Sequence, residues 1–244
     1  MQVKHTPESE SIGRERRVIG AILVAAGQSR RMGFDKIFRP LTTRSALELC
    51  LERLSAFPRI FEIVVVVARE RREEAARLIA PLALPVPVEV VEGGAERQDS
   101  VESGLRVADP RSHFALVHDA ARPFVTGELI EAIFQVAQRE GAAACGNPSA
   151  DTVKEVDEQG NVVATLDRRK VWNVQTPQIF RRELLLEAYR NLREKGKSVT
   201  DDAAAVEAIG HPVRLVSYSG FNGKMTRPED WELARQLLLG KRAL

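Results

Sequence analysis

The feature that most constrains the fold is an apolar run over residues 18–26 that stops at Gly27. A continuous apolar stretch of this length, followed by a glycine, is typical of a strand that is buried on both faces. Such a strand lies inside a parallel sheet whose two faces are covered by helices. The run therefore predicts an α/β protein.

The chain up to residue 147 alternates between helical and strand patterns. Helical spacing of apolar residues predicts helices at 45–57, 70–79, 101–107 and 127–139. Short apolar runs, including four consecutive valines, predict strands at 62–68, 88–91, 114–119 and 142–147. This alternation indicates a Rossmann-like, mostly parallel twisted sheet flanked by helices.

The pattern changes after Pro148. Residues 151–156 and 162–166 are short β-like runs, and the turn-forming segment 157–161 separates them. They predict a protruding β-hairpin arm, at about residues 149–172. A lone hairpin is marginally stable, so either its own chain or a partner subunit must cover it.

The remaining segments predict helices at 181–195 and 203–209, a strand at 213–217 and a closing helix that Pro228 starts. The polar residues 1–17 show no period and are interpreted as a mobile leader before a single domain, 18–244.

Composition excludes several classes of partner. The chain has 36 basic and 34 acidic residues, so its net charge does not indicate a nucleic-acid partner. No apolar segment is long enough for a membrane span, and we expect a cytoplasmic protein. Cys50 and Cys145 fit neither a metal-binding spacing nor a disulfide framework, so they are expected to be buried free thiols.

The loop after the first strand is a candidate phosphate site. Ala25, Ala26 and Gly27 leave room for a ligand to approach the backbone, and Arg31 and Lys36 supply positive charge. The loop has neither the three spaced glycines of the dinucleotide fingerprint nor the Gly-Lys-Ser/Thr of a P-loop. The alternative is an ordinary strand-to-helix turn with a solvated basic rim.

A second loop follows the predicted strand 88–91. Paired glycines, Gly93 and Gly94, precede Arg97 and Ser100, and this pattern suits contacts to a base or a ribose. The alternative is that Ser100 only caps its own helix.

The strand at 114–119 brings three polar residues to its carboxyl end. Asp119 and Arg122 could hold the hydroxyls and phosphate of one small ligand, or form a simple ion pair. His118 is interpreted as a hydrogen-bonded structural residue.

Eight short blocks in one order carry a resemblance to a known family. They are Ala25-Ala-Gly27 with Arg31 and Lys36, Gly93-Gly94 through Val101, His118-Asp-Ala-Ala-Arg-Pro123, Asp151-Thr152 with Lys154, Asp167-Arg168, Thr176-Pro-Gln178, Thr200-Asp-Asp202, and Lys224 with Thr226 to Asp230. With these blocks, the chain resembles the 2-C-methyl-D-erythritol 4-phosphate cytidylyltransferases over about residues 18–240.

The resemblance implies a role for each matching position. The nucleotide-binding residues would be Ala25, Ala26, Gly27, Gly93, Gly94 and Ser100. The catalytic residues would be Arg31, Lys36, Arg168 and Lys224. The substrate-binding residues would be Asp119, Arg122, Thr152, Arg168, Thr176 and Lys224, of which Thr152 and Arg168 would reach in from the arm of a neighbouring subunit in a homodimer.

The implied reaction transfers a cytidylyl group from CTP to 2-C-methyl-D-erythritol 4-phosphate and belongs to the non-mevalonate isoprenoid pathway. A magnesium ion or another divalent cation would be held mainly by the CTP phosphates, with no protein metal ligands assigned. Two alternatives stay open: a cytidylyltransferase for another polyol phosphate such as ribitol 5-phosphate, and a non-catalytic nucleotide-binding protein.

Overall fold

The structure, a computed structural model, describes residues 18–27 and 32–240. The strands are β1 (Ile19–Val24), β2 (Ile60–Val67), β3 (Val88–Glu92), β4 (Phe114–Asp119), β5 (Ala142–Pro148), β6 (Lys154–Val156), β7 (Val162–Thr165), β8 (Trp172–Arg181) and β9 (Arg214–Val216). The helices are α1 (Ala46–Ser55), α2 (Arg72–Ile79), α3 (Arg97–Val107), α4 (Gly127–Glu140), α5 (Arg182–Glu194), α6 (Asp202–Glu207) and α7 (Pro228–Gly240). The predicted leader lies outside the described residues.

One seven-stranded sheet forms the centre of the described region. Its strand order is β3-β2-β1-β4-β8-β5-β9, and only β8 runs antiparallel to its neighbours within it. The chain moves outward from β1 through β2 to β3 and then returns to place β4 on the other side of β1. The predicted α/β class with a mostly parallel sheet is confirmed, and the strand order reverses beside β1, where α/β proteins bind ligands.

The central strands are apolar because both faces of the sheet are covered. Alternate residues of β2, such as Ile63 and Val65, join one buried cluster, whereas Val64 and Val66 join a second cluster on the other face. This two-sided burial explains the run of four valines. Both cysteines are buried and free, as expected, and burial raises the pKa of Cys50 to about 12.

The antiparallel strand β8 was not predicted. The segment before 181 carries no regular period and contains Pro177, yet Thr176 to Phe180 are all buried. Phe180 pairs with Ala115 of β4 on one side and with Ala142 of β5 on the other. This strand forms because β4 and β5 complete its hydrogen bonds on either side. The local sequence does not indicate that pairing.

The predicted hairpin is present as β6 and β7, which form a separate two-stranded sheet. Its valines are largely exposed, at 53% for Val156, 59% for Val162 and 64% for Val163. An exposed apolar surface of this kind is typical of a contact region.

Within the described residues, no helix combines the length and apolar character that crossing a membrane requires.

Candidate active site

A cleft of about 690 Å³ opens where β1, β3 and β4 end. Its walls come from the loops that follow these strands and from the segment just before α7. The predicted residues that line it are Ala25, Ala26, Gly27, Lys36, Gly93, Gly94, Ser100, Asp119 and Lys224. Residues predicted from separate parts of the sequence therefore meet in one cavity, as expected where parallel strands end.

The remaining predicted site residues lie elsewhere. Arg122 and Thr176 are buried behind the cleft wall, and Thr152 and Arg168 lie on or beside the exposed arm. Arg168 donates from Nη1 to the Ala150 carbonyl at 3.0 Å, within its own chain. Arg31 lies outside the described residues, so its role stays a prediction.

The loop after β1 provides one wall of the cleft. The backbone N–H of Ala25 donates to the Val66 carbonyl at 2.7 Å and so continues the sheet. That N–H is therefore not available to a ligand. Gly27 has open space on the side where a Cβ would lie, which leaves the backbone accessible.

Lys36 is positioned by a turn and by the segment before α7. The Asp35 carboxylate accepts from the backbone N–H groups of Ile37 (2.9 Å) and Phe38 (3.3 Å). Lys36 Nζ donates to the Met225 carbonyl at 2.6 Å. This contact directs the ammonium group to the side of the cleft where Lys224 also lies.

The two glycines of the second loop are required by close packing. A Cβ on Gly93 would lie 2.6 Å from Ser100 Oγ and 2.8 Å from the Ala26 Cβ, and one on Gly94 would collide with Asp99. The loop therefore lies directly against both α3 and the first loop.

The alternative that Ser100 caps its helix is wrong, because α3 begins earlier than predicted. The N-cap is Glu96, whose N–H donates to Asp99 Oδ2 at 3.0 Å in a reciprocal capping box. Ser100 lies in the first turn and donates from Oγ to the Glu96 carbonyl at 3.2 Å.

Asp119 is the most strongly paired carboxylate of the cleft. Its Oδ2 accepts from Lys224 Nζ at 2.6 Å, and its Oδ1 accepts from Arg97 Nε at 3.2 Å. Burial by itself would raise the pKa of Asp119, but the charges of Arg97 and Lys224 outweigh burial and lower it well below the usual range. Asp119 is therefore ionised at neutral pH.

Arg97 lines the cleft beside the glycine loop, and its charge is paired with two carboxylates. Its guanidinium joins Asp119 to Asp202, with Nη2 donating to Asp202 Oδ2 at 2.8 Å. The contact of Arg97 with a base or a ribose stays a prediction. Asp202, which belongs to the block Thr200-Asp-Asp202, is fully buried and also accepts from Tyr189 Oη at 2.5 Å. No local signal could have revealed this link, because Arg97 and Asp202 are 105 residues apart.

A chain of hydrogen bonds supports Asp119 from behind. The Asp119 N–H donates to Thr176 Oγ1 at 3.0 Å, and Thr176 Oγ1 lies 3.2 Å from His118 Nδ1. His118 Nε2 lies 3.0 Å from the Arg122 carbonyl, which can only accept. The proton is therefore on Nε2, and Nδ1 accepts from the Thr176 hydroxyl. This agrees with the structural role expected for His118.

Arg122 holds the loop that carries Lys224. Its Nη1 donates to the Asn222 carbonyl at 2.8 Å, while Asn222 Nδ2 donates to the Thr176 carbonyl at 2.9 Å. Arg122 is buried, and burial lowers its pKa. In this structure, Arg122 thus supports the wall of the cleft rather than lining it.

The His118 environment predicts a pH dependence of stability. Burial lowers the pKa of His118 from 6.5 to about 4. Between these values the unfolded chain binds a proton that the folded chain does not, so the free energy of unfolding should fall as the pH drops from 6.5 to 4, by roughly 3 kcal/mol. Urea titrations at pH 7 and pH 4 measure this loss. A His118→Gln variant should lose less over the same range, and equal losses in both proteins would contradict the assignment.

The donor set of the cleft fits a cation that is carried by a ligand. Among the described residues, no three His, Cys, Asp or Glu side chains are grouped to hold a metal. Both oxygens of Asp119 are engaged by cations. Magnesium commonly binds through substrate phosphates with few protein ligands, and such a mode suits these residues.

Comparison with known proteins identifies the family of this fold and cleft. The model of the family "2-C-methyl-D-erythritol 4-phosphate cytidylyltransferase" matches residues 19–240. A protein of that name from Desulforamulus reducens is 43% identical over 90% of this chain and 95% of its own length. Another, from Symbiobacterium thermophilum, is 40% identical over 90% of this chain and 92% of its own length.

Solved structures agree with the sequence relatives. The 4-diphosphocytidyl-2C-methyl-D-erythritol synthase of Anaerococcus prevotii superposes with a TM-score of 0.82 at 29% identity, over 91% of this chain and 99% of its own. The 2-C-methyl-D-erythritol 4-phosphate cytidylyltransferase of Thermus thermophilus gives a TM-score of 0.72 at 35% identity, over 89% and 97% of the two chains. The chain therefore belongs to the 2-C-methyl-D-erythritol 4-phosphate cytidylyltransferase family, whose members are nucleotidyltransferases.

Proposed function

We propose that the protein transfers the cytidylyl group of CTP to 2-C-methyl-D-erythritol 4-phosphate, releasing pyrophosphate, as a step of isoprenoid biosynthesis. The product would be 4-diphosphocytidyl-2-C-methyl-D-erythritol. The observation that carries the proposal is the convergence of Lys36, Lys224 and the Gly93-Gly94 loop on one cleft at the carboxyl ends of the parallel strands. Membership of the family supports the choice of both substrates.

The nucleotide would lie between the two loops. Ala26 and Gly27 would face the CTP phosphates, with Ala25 forming the base of that wall. Gly93, Gly94 and Ser100 would hold the cytosine and the ribose, because they line the cleft directly beside the first loop. Lys36, together with the predicted Arg31, would stabilise the charge that develops on the α-phosphate.

The polyol phosphate would occupy the end of the cleft near β4. Asp119 is ionised and would accept hydrogen bonds from hydroxyl groups, while Lys224 would bind the phosphate. Arg122 and Thr176 would act from behind, by holding the Lys224 loop and the Asp119 backbone in place.

The chemistry requires charge stabilisation more than proton transfer. The 4-phosphate is mostly a dianion at pH 7, since its second pKa is about 6, and it can attack without a general base. One of its oxygens bonds to the α-phosphorus of CTP, and the bond from that phosphorus to the oxygen bridging to the β-phosphate breaks. The fully buried, neutral His118 agrees with a reaction that uses no histidine base. Magnesium on the triphosphate would offset the charge of the leaving pyrophosphate.

We further propose a cytoplasmic homodimer in which the arm completes the partner's site. The exposed valines of the hairpin support a covered contact surface. Thr152 and Arg168 are on or beside this arm and do not line the cleft of their own chain, so a partner's arm is the source that would bring them there. The free, buried cysteines suit a reducing compartment.

A pyrophosphate-release assay tests the activity. We expect release with CTP, magnesium and 2-C-methyl-D-erythritol 4-phosphate, and far less with ATP or GTP, because the family to which the chain belongs is named for cytidylyl transfer. Ribitol 5-phosphate in a parallel reaction tests the other polyol substrate. CTP at 100 times its Kd should also stabilise the fold by about 2.7 kcal/mol, which appears as a higher Tm. Equal stabilisation by all nucleotides would rule out cytosine recognition, and CTP binding without release would favour a non-catalytic protein.

A further inference from the structure

We infer that Arg97 is a positioning residue that fixes the Asp119 carboxylate for the polyol phosphate by tying it to the buried start of α6. This inference rests on the proposed function of the cleft. Arg97 is placed at the first residue of α3, next to the nucleotide loop, yet its contacts run toward the other substrate.

The geometry shows one guanidinium spanning two carboxylates on different elements. Arg97 Nε donates to Asp119 Oδ1 at the end of β4 (3.2 Å), and Nη2 donates to Asp202 Oδ2 at the start of α6 (2.8 Å). Lys224 Nζ donates to the other carboxylate oxygen, Asp119 Oδ2, at 2.6 Å. The four charged groups thus alternate in sign, in the order Lys224, Asp119, Arg97 and Asp202.

The far end of this series is anchored. Asp202 is fully buried and accepts a hydrogen bond from Tyr189, whose own side chain is buried. The first turn of α6 is also held to β8, because the Ala203 N–H donates to Gln178 Oε1 at 3.0 Å. Arg97 therefore connects Asp119 to a fixed point and not to a mobile surface group.

Fixing Asp119 has a chemical consequence. A carboxylate that must accept substrate hydroxyls works best when its rotation is already restricted, since a small misplacement of a substrate can cost about 10²-fold in rate. A planar guanidinium offers several donors in a rigid fork, so it can hold two carboxylates at once. A lysine is a point charge on a flexible stem and would hold only one of them in the same geometry.

Two variants test the inference. Arg97→Lys keeps the charge but loses the bridge, and the double variant Arg97→Gln/Asp202→Asn removes both charges together, so that no buried charge is left unpaired. For each, we expect the KM for the polyol phosphate to rise by about tenfold and kcat to fall by about tenfold, with the KM for CTP changed less than about twofold. The matched control is Gln98→Ala. Gln98 Oε1 accepts from the Val199 N–H at 3.0 Å. Gln98 therefore also connects α3 to the segment at the start of α6, but it does not contact Asp119.

The outcomes separate positioning from simple packing. Gln98→Ala should keep both KM values near those of the unaltered protein. If Gln98→Ala raises the polyol-phosphate KM as much as the Arg97 variants do, the effect comes from weakening the connection between α3 and the segment before α6, and the inference is wrong. Normal kinetics in Arg97→Lys would also overturn it, whether or not the double variant folds. Turnover by the unaltered protein tests the proposed function separately, so failure there is distinguishable from failure of the role of Arg97.

Discussion

Replacing Lys36 with alanine is expected to lower kcat by about 10²- to 10³-fold while leaving the fold intact, because the ammonium would no longer meet the charge that develops on the α-phosphate. Lys36 lines the cleft, and its Nζ lies 2.6 Å from the Met225 carbonyl. The side chain is partly exposed, so its removal opens no cavity in the core. Steady-state kinetics with saturating CTP and polyol phosphate measure the loss.

A matched control separates this local effect from a change in net charge. Arg44→Ala removes one positive charge from a nearby surface position, where Arg44 pairs with Glu48 and Glu52 outside the cleft. We expect nearly normal turnover from it, and circular dichroism should show that both variants are folded. If the Lys36 variant turns over at a rate close to that of the control, Lys36 has no catalytic role.

A mixture of inactive Arg168→Ala and Lys224→Ala chains is expected to regain activity once the subunits have exchanged. In a dimer with swapped arms, each site combines Lys224 of one chain with Arg168 of the other. One of the two sites in a heterodimer then carries both original residues, so about a quarter of all sites are intact after full exchange of equal amounts. Each variant alone should lose about 10²-fold or more in rate.

The exchange must be shown independently, for example by native mass spectrometry of chains with different tags. A second mixture provides the control: a chain carrying both substitutions, mixed with either single variant, can form no intact site. Activity that stays at the level of the separate variants after exchange would show that the arm serves its own chain. That result would leave the activity of the cleft unaffected and would remove only the shared-site proposal.

The sequence by itself determined the α/β class and most of the elements that build the cleft. Strands buried on both faces must be apolar along their length, and helices on the surface must be apolar on one side. Both patterns can therefore be recognised in a short stretch of sequence. The predicted helix at 127–139 is observed as Gly127–Glu140, and the predicted strand at 88–91 as Val88–Glu92. The loops that follow these strands meet because parallel strands end at the same edge, so the positions of Gly27, Gly93 and Asp119 could be anticipated together.

Only the tertiary structure decided which side chains meet. Strand β8 has no local signature, since its hydrogen bonds come from β4 and β5 on either side. Arg122 and Thr176 are buried side chains whose hydrogen bonds reach the Asn222 carbonyl and the Asp119 N–H, and their contact with substrate stays a prediction. The partner of Arg97 depends on a distance through space to Asp202, and residues 105 positions apart leave no periodic pattern. Charge pairing and non-local strand pairing are properties of the folded arrangement, so they become visible only when the packed elements are in place.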